Sequence, residues 1–214
     1  GSTDSTKEVV GEVQDSRVQY YHQENKMVAA ARNHGIRVSA GEYICFLDSD
    51  DEIFADYLSV FEERLREESH EMLVADTIVR SADRDSIERV RLMEGGDFLI
   101  GDMPSIQSVC TRSDILRQNL FNENLYMHED AELWSRISPT VNILRIEKIT
   151  SRVNVAGNDR LSKTSFRKRR ELYKTYDLIV NDPRRPSYPR DALKQKLLPL
   201  YRSLSLDYLE RGNY

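Results

Sequence analysis

The chain has 214 residues, 39% of them hydrophobic and 31% charged, which excludes a disordered chain and fits one α/β domain with an appendage. Its 31 basic and 36 acidic residues give a net charge of −5 and a pI of about 5.5, which argues against a general nucleic-acid binder. No apolar run approaches the ~20 residues that span a bilayer, and no stretch reads as a signal peptide. Two cysteines, Cys45 and Cys110, are too few for a disulfide framework or a zinc knuckle. Cys45 lies in the apolar run Tyr43-Ile44-Cys45-Phe46-Leu47 and reads as a buried free thiol of a reducing compartment.

Residues 2–13 read as a cap followed by a short helix, and Arg17-Val18-Gln19-Tyr20-Tyr21 alternates like a strand. The Ala-rich stretch 25–38 predicts a helix ending near Gly35 or soon after. Residues 42–47 predict a fully buried strand, followed at once by Asp48-Ser49-Asp50-Asp51. Tyr57, Leu58, Val60, Phe61 and Leu65 mark a helical stripe, and residues 72–79 read as strand. The charged stretch 81–94 suits a hairpin with an exposed loop. Residues 105–110 suit a strand, 113–118 a short helix, 132–137 a helix behind Glu129-Asp130, and 141–149 a strand. Residues 153–163 read as a loop. Residues 166–180 and 190–209 have a helical period and are separated by a segment with three prolines. The alternation of strands and helices predicts an α/β fold with a mixed, mostly parallel central sheet, flanking helices and further C-terminal helices. The expected boundary divides residues 1–155 from a helical extension, 156–214.

The strand ending in three acidic residues is the strongest local signal, because ligands of open α/β sheets bind beyond the strands' carboxyl ends. Asp48 and Asp50, at i and i+2, point to one side of an extended chain. Mg²⁺ takes one or two carboxylates and completes its shell with water and phosphate oxygens. The pair therefore reads as a site for a metal–diphosphate, or equally as a solvated acidic turn with Asp51 capping the next helix. The second acidic site, His128-Glu129-Asp130, opens a helix that carries Leu133, Trp134 and Ile137. It reads as a plain cap or as a general base that takes a proton from an alcohol.

Taken in order, Ala31-Arg32-Asn33-His34-Gly35-Ile36, Ala40-Gly41-Glu42-Tyr43-Ile44 and Phe46-Leu47-Asp48-Ser49-Asp50-Asp51 resemble the family 2 glycosyltransferases of the A-type fold. Phe121-Asn122-Glu123-Asn124-Leu125, followed by His128-Glu129-Asp130 and Trp134, resembles that family's acceptor-side acidic motif. The resemblance covers about residues 1–155. It implies the nucleotide-diphospho-sugar transferase fold and inverting transfer of a sugar from a nucleotide-diphosphate donor, a UDP-sugar first, to an acceptor hydroxyl. By the same resemblance Asp50 would hold Mg²⁺ or Mn²⁺ on the diphosphate. Asp48 would face the ribose or the metal, and Asp130 would be the catalytic base. Arg32 would lie near the donor, or else form an ion pair on a helix surface.

Gly1-Ser2-Thr3-Asp4 resembles the tail of the family's D-D-G-S-T-D turn, which places Asp4 on the cofactor side. It also implies that the family's first βαβ unit would precede Gly1. Where the family commonly has glycine after Asn25-Lys26, this chain has Met27. The implied partners are a nucleotide sugar and a glycan or lipid-linked acceptor, with no nucleic acid. The basic cluster Arg167-Lys168-Arg169-Arg170 reads as a solvated helix face or as peripheral contact with a membrane, and the expected location is cytoplasmic. Two other classes stay open at this stage: a non-catalytic interaction module, and a metal-dependent nucleotidyltransferase, which also places acidic pairs at strand ends.

Overall fold

The computed structural model describes residues 1–81, 84–90, 92, 103–155, 166–181, 198 and 202. Among the described residues six strands form one sheet, running across it as Tyr43–Cys45, Val109–Arg112, Met72–Arg80, Ile143–Asn154 and Glu52–Ile53, with Asp85–Glu88 paired to Met72–Arg80 beside this path. They are β1 (Tyr43–Cys45), β2 (Glu52–Ile53), β3 (Met72–Arg80), β4 (Asp85–Glu88), β5 (Val109–Arg112) and β6 (Ile143–Asn154). The helices are α1 (Thr6–Gly11), α2 (Met27–Val38), α3 (Tyr57–Glu67), α4 (Ser113–Gln118), α5 (Glu129–Ile137) and α6 (Phe166–Asn181).

The mixed sheet with flanking helices matches the expectation, but its parallel share is smaller than predicted. Among the described residues only β3 and β6 run parallel, and β1–β5, β3–β5, β3–β4 and β2–β6 are antiparallel. The reason lies in the connections. Parallel neighbours need long crossovers, whereas β4 turns straight back on β3. The parallel register shifts on both sides of Asp76.

Strand β3 shows how the core is organised. Met72 and Val74 pack into one apolar cluster with Ile36, Leu116, Leu133, Trp134 and Ile137. The alternate residues Leu73 and Ala75 pack into a second cluster with Tyr57, Val60 and Phe61. Period-two alternation thus sends neighbouring side chains to opposite faces, with α2, α4 and α5 on one side and α3 on the other. Strand β1 follows the same rule, with Ile44 in the first cluster and Tyr43 and Cys45 against the second, although only Ile44 is fully buried. Helix α6 packs against α5 and buries Glu171, Thr175 and Ile179.

Several expectations need correction. Residues 17–21 form no strand, because Val18 and Tyr21 are exposed with no strand beside them. Residues 106–108 form a 3₁₀ turn, so the strand expected at 105–110 begins only at Val109. Asp51 caps no helix: the short strand β2 intervenes, Asp56 precedes α3, and the Asp51 carboxylate accepts the Asn154 backbone N–H at 3.0 Å. Leu58 turns away from its helix's apolar face into solvent. Nearly all of 190–209, expected as a helix, and most of the loop at 153–163 lie outside the described residues.

Candidate active site

The site is built where α2, the end of β1 and the start of α5 converge. Both helices are entered through left-handed backbone: Met27 has φ 69° at the start of α2, and His128 has φ 61° just before α5. Histidine tolerates this region better than most side chains, whereas Met27 occupies it at the position where the motif commonly has glycine. The Asn25 side chain accepts the Met27 N–H at 3.1 Å and helps hold the turn.

From α2, Asn33 reaches the loop before α5. Its amide donates to the Phe121 carbonyl at 2.9 Å and accepts the Phe121 N–H at 2.8 Å, a two-way clasp on the backbone of one residue. Arg136 on α5 donates to the Leu120 carbonyl at 2.7 Å, so both helices grip this loop. Phe121 then packs edge-on against Phe46 and Trp134. These contacts fix the wall on which Arg32 lies, its guanidinium 5.5 Å from the Phe121 ring centre.

Arg32 is the hub. Its side chain is 9% exposed and donates to Asp48 Oδ1 at 2.7 Å and to Glu129 Oε1 at 2.5 Å. Burial opposes its charge, but Asp48, acting by charge and hydrogen bond, together with Glu129 and Asp130, outweighs that and raises its pKa. Burial, then the charge of Asp130, pushes Glu129 above the ordinary carboxylate value while Arg32 pulls it down. The ion pair expected on a helix surface is therefore nearly buried, and it joins two acidic motifs that are distant in sequence.

Asp130 is half-buried in the first turn of α5, where one carboxylate oxygen accepts the Ala131 N–H at 2.8 Å. The plain cap expected from this motif is not made at the N-cap position, where the His128 side chain forms no capping hydrogen bond. Asp50 is exposed, and its carbonyl accepts the Asn154 amide at 2.9 Å. Asn154 thus ties the acidic turn to the end of β6, a role with no local signal in the sequence. Asp4 is exposed and hydrogen-bonds to Thr6, whose bonds lower the Asp4 pKa; no contact among the described residues links it to Arg32 or Asp48.

Among the described residues no three His, Cys, Asp or Glu side chains are grouped to hold a metal. Asp48 gives one oxygen to Arg32, and Asp50 is exposed two residues further along the same turn. That donor set fits a hard cation that draws most of its oxygen ligands from a diphosphate. A cleft of about 550 Å³ lies elsewhere, between α3 and β6, and is lined by residues such as Glu63, Arg64, His70 and Lys148 rather than by these groups.

The chain belongs to glycosyl transferase family 2, whose model matches residues 1–150. It is similar to an uncharacterized glycosyltransferase of Rickettsia felis, 29% identical over 192 residues that cover 86% of this chain and 31% of that protein. It is also similar to the GalNAc(5)-diNAcBac-PP-undecaprenol beta-1,3-glucosyltransferase of Campylobacter jejuni, 27% identical over 144 residues that cover 62% of this chain and 46% of that protein. Among solved structures, S. aureus TarS 1-349 in complex with UDP-GlcNAc superposes with a TM-score of 0.67 at 16% identity, covering 94% of this chain and 60% of that one. At that identity the likeness speaks to the fold, which is the A-type glycosyltransferase fold. The chain spans less than a third of the Rickettsia protein it matches. Among the described residues no helix is long and apolar enough to cross a membrane.

Proposed function

We propose that this domain transfers a sugar from a nucleotide-diphosphate donor to an acceptor hydroxyl with inversion at the anomeric carbon. The observation that carries this reading is the Arg32 bridge, which brings the Asp48-Ser49-Asp50 turn and the Glu129-Asp130 helix start into one site. Such a displacement needs two acidic stations, one on the leaving diphosphate and one on the attacking hydroxyl. In this reading Asp130 takes the hydroxyl proton as its oxygen bonds to the anomeric carbon, and the carbon–diphosphate bond breaks on the opposite face. Asp50 would hold a divalent cation, Mg²⁺ or Mn²⁺, whose chemistry is to neutralise charge gathering on the leaving diphosphate. Asp48 and Arg32 form the wall beside the donor, and Asp4 remains a candidate contact to it.

A UDP-sugar is the first donor to try, supported by the UDP-GlcNAc complex of TarS. A lipid-linked or glycan acceptor is supported by the undecaprenol-linked substrate in the name of the Campylobacter relative. A cytoplasmic location and membrane contact through Arg167 to Arg170 belong to the same proposal; the free thiols Cys45 and Cys110 are compatible with a reducing compartment. The test is calorimetry of UDP binding to the whole protein, with and without Mn²⁺. Asp50→Asn is expected to remove the metal-dependent gain in affinity, about tenfold or more, while leaving metal-free binding unchanged. Identical titrations of mutant and wild type in both conditions would overturn the metal assignment.

A further inference from the structure

The chain's two cysteines meet across a strand pair, although they are far apart in sequence. Cys45 on β1 and Cys110 on β5 are direct partners in the antiparallel register. Directly opposed residues in such a ladder have Cα atoms about 4.5 or 5.5 Å apart, inside the ~4.4–6.8 Å window that a disulfide requires. Both side chains lie on the α3 face of the sheet, so their sulfurs share one side of the pleat. They differ in access: Cys110 is buried, whereas Cys45 is half-buried beside the strand end. We propose that Cys45 and Cys110 are a redox pair, in which Cys45 is oxidised first by a peroxide and Cys110 resolves it to an intramolecular disulfide.

The step balances. The Cys45 thiol attacks a peroxide oxygen, the O–O bond breaks, and one water leaves as the sulfenic acid forms. The Cys110 sulfur then attacks that sulfenyl sulfur, the S–O bond breaks, and hydroxide departs as a second water with the Cys110 proton. Two thiols are oxidised and one peroxide is reduced to two waters. The direction of attack agrees with the local electrostatics. The hydrogen bond from Cys110 lowers the Cys45 pKa despite burial, whereas that same bond and burial raise the pKa of Cys110. The consequence for the fold is a covalent staple between β5 and β1, three residues before Asp48.

With only two cysteines in the chain, thiol counts and the masses of the peptides carrying Cys45 and Cys110 read the outcome, with any oxygen gained at the five methionines assigned by fragmentation. In monomeric folded wild-type protein treated with hydrogen peroxide, the two cysteine peptides should be joined at about 2 Da below their summed reduced mass, apart from oxygen gained at methionine, and both free thiols should vanish together and return with dithiothreitol. Phenylarsine oxide, which bridges neighbouring thiols, should label the reduced form at one equivalent and the oxidised form not at all. Cys110→Ala should stop at a dimedone-reactive Cys45 sulfenic acid, and Cys45→Ser should leave Cys110 unmodified under the same exposure. Circular dichroism checks that both variants fold. If a variant does not fold, wild-type mass and arsenical stoichiometry still decide. The proposal is overturned if folded wild type gains oxygen on one or both sulfurs without the 2 Da loss, forms only intermolecular disulfides, or stays fully reduced while the same peroxide oxidises it in urea.

Discussion

The Arg32 guanidinium lies between Asp48, 2.7 Å away, and Glu129, 2.5 Å away, with both Arg32 and Glu129 almost shut off from water. The end of β1 and the start of α5 therefore meet through one cation rather than through apolar packing alone. A buried cation between two carboxylates satisfies each, and removal of the cation leaves an uncompensated charge.

Arg32→Met should therefore destabilise the fold by about 3–5 kcal/mol at neutral pH. The pH dependence has a definite sign. The Glu129 pKa is already raised in the folded protein, and loss of Arg32 raises it further. A carboxyl with a raised folded-state pKa stabilises the fold below its unfolded value, and that contribution is lost as pH rises through the folded value. The gap between mutant and wild type should thus be widest near pH 7 and narrow toward pH 4.5. Urea titrations at several pH values measure it, and a gap independent of pH would contradict this account of Glu129.

Met27 supplies a second test. A non-glycine residue in left-handed backbone costs ~1–2 kcal/mol, while glycine costs ~0.5–1 kcal/mol in unfolded-chain entropy. Met27 has φ 69° and is partly exposed, so little packing opposes the change. Met27→Gly should raise stability by about 0.5–1 kcal/mol, whereas Met27→Val should lower it because β-branching worsens the strain. Chemical denaturation of the two variants reads both directions, and a loss in Met27→Gly would show that the strain is absent.

The elements that the sequence made legible are those whose signal is local. The helix at 113–118 was readable to the residue, and the stripe of Tyr57, Val60 and Phe61 reported a true buried face. Residues 17–21 misled because alternation of Val18, Tyr20 and Tyr21 makes a strand only where a partner edge lies alongside. The acidic turn was visible, but its fastening to Asn154 was not, since that partner lies about a hundred residues away. The Arg32–Glu129 contact joins residues 97 apart, which no local period records. The substituted glycine at Met27 did leave a trace, because a motif that favours glycine marks a backbone that needs positive φ.

Among the described residues, no strand pairs with the outer edge of β1. Leu47, two residues beyond β1, is also uncovered. An open edge beside exposed apolar surface recruits other chains. Residues 1–214 alone should accordingly self-associate as concentration rises. Light scattering coupled to size exclusion measures this, and a monodisperse monomer across a hundredfold concentration range would refute it.

The decisive prediction for the proposed chemistry concerns Asp130 and its neighbour. In the proposed reaction Asp130 accepts a proton only while the new bond to the sugar forms, so its effect belongs to the transition state and not to donor binding. General-base catalysis typically supplies ~10²–10⁴-fold in rate. Asp130→Asn in the whole protein should lower turnover by about that factor and leave donor affinity nearly unchanged. Glu129→Gln should behave differently, because Glu129 is buried against Arg32 and acts on position rather than on the proton. It should cost less in turnover and show a lowered melting temperature, which Asp130→Asn should not. Steady-state transfer, donor titration and thermal melts on both variants separate the roles. Full turnover in Asp130→Asn would remove it as the base. A large loss of donor affinity instead would move Asp130 to the diphosphate side and favour a nucleotidyltransferase reaction.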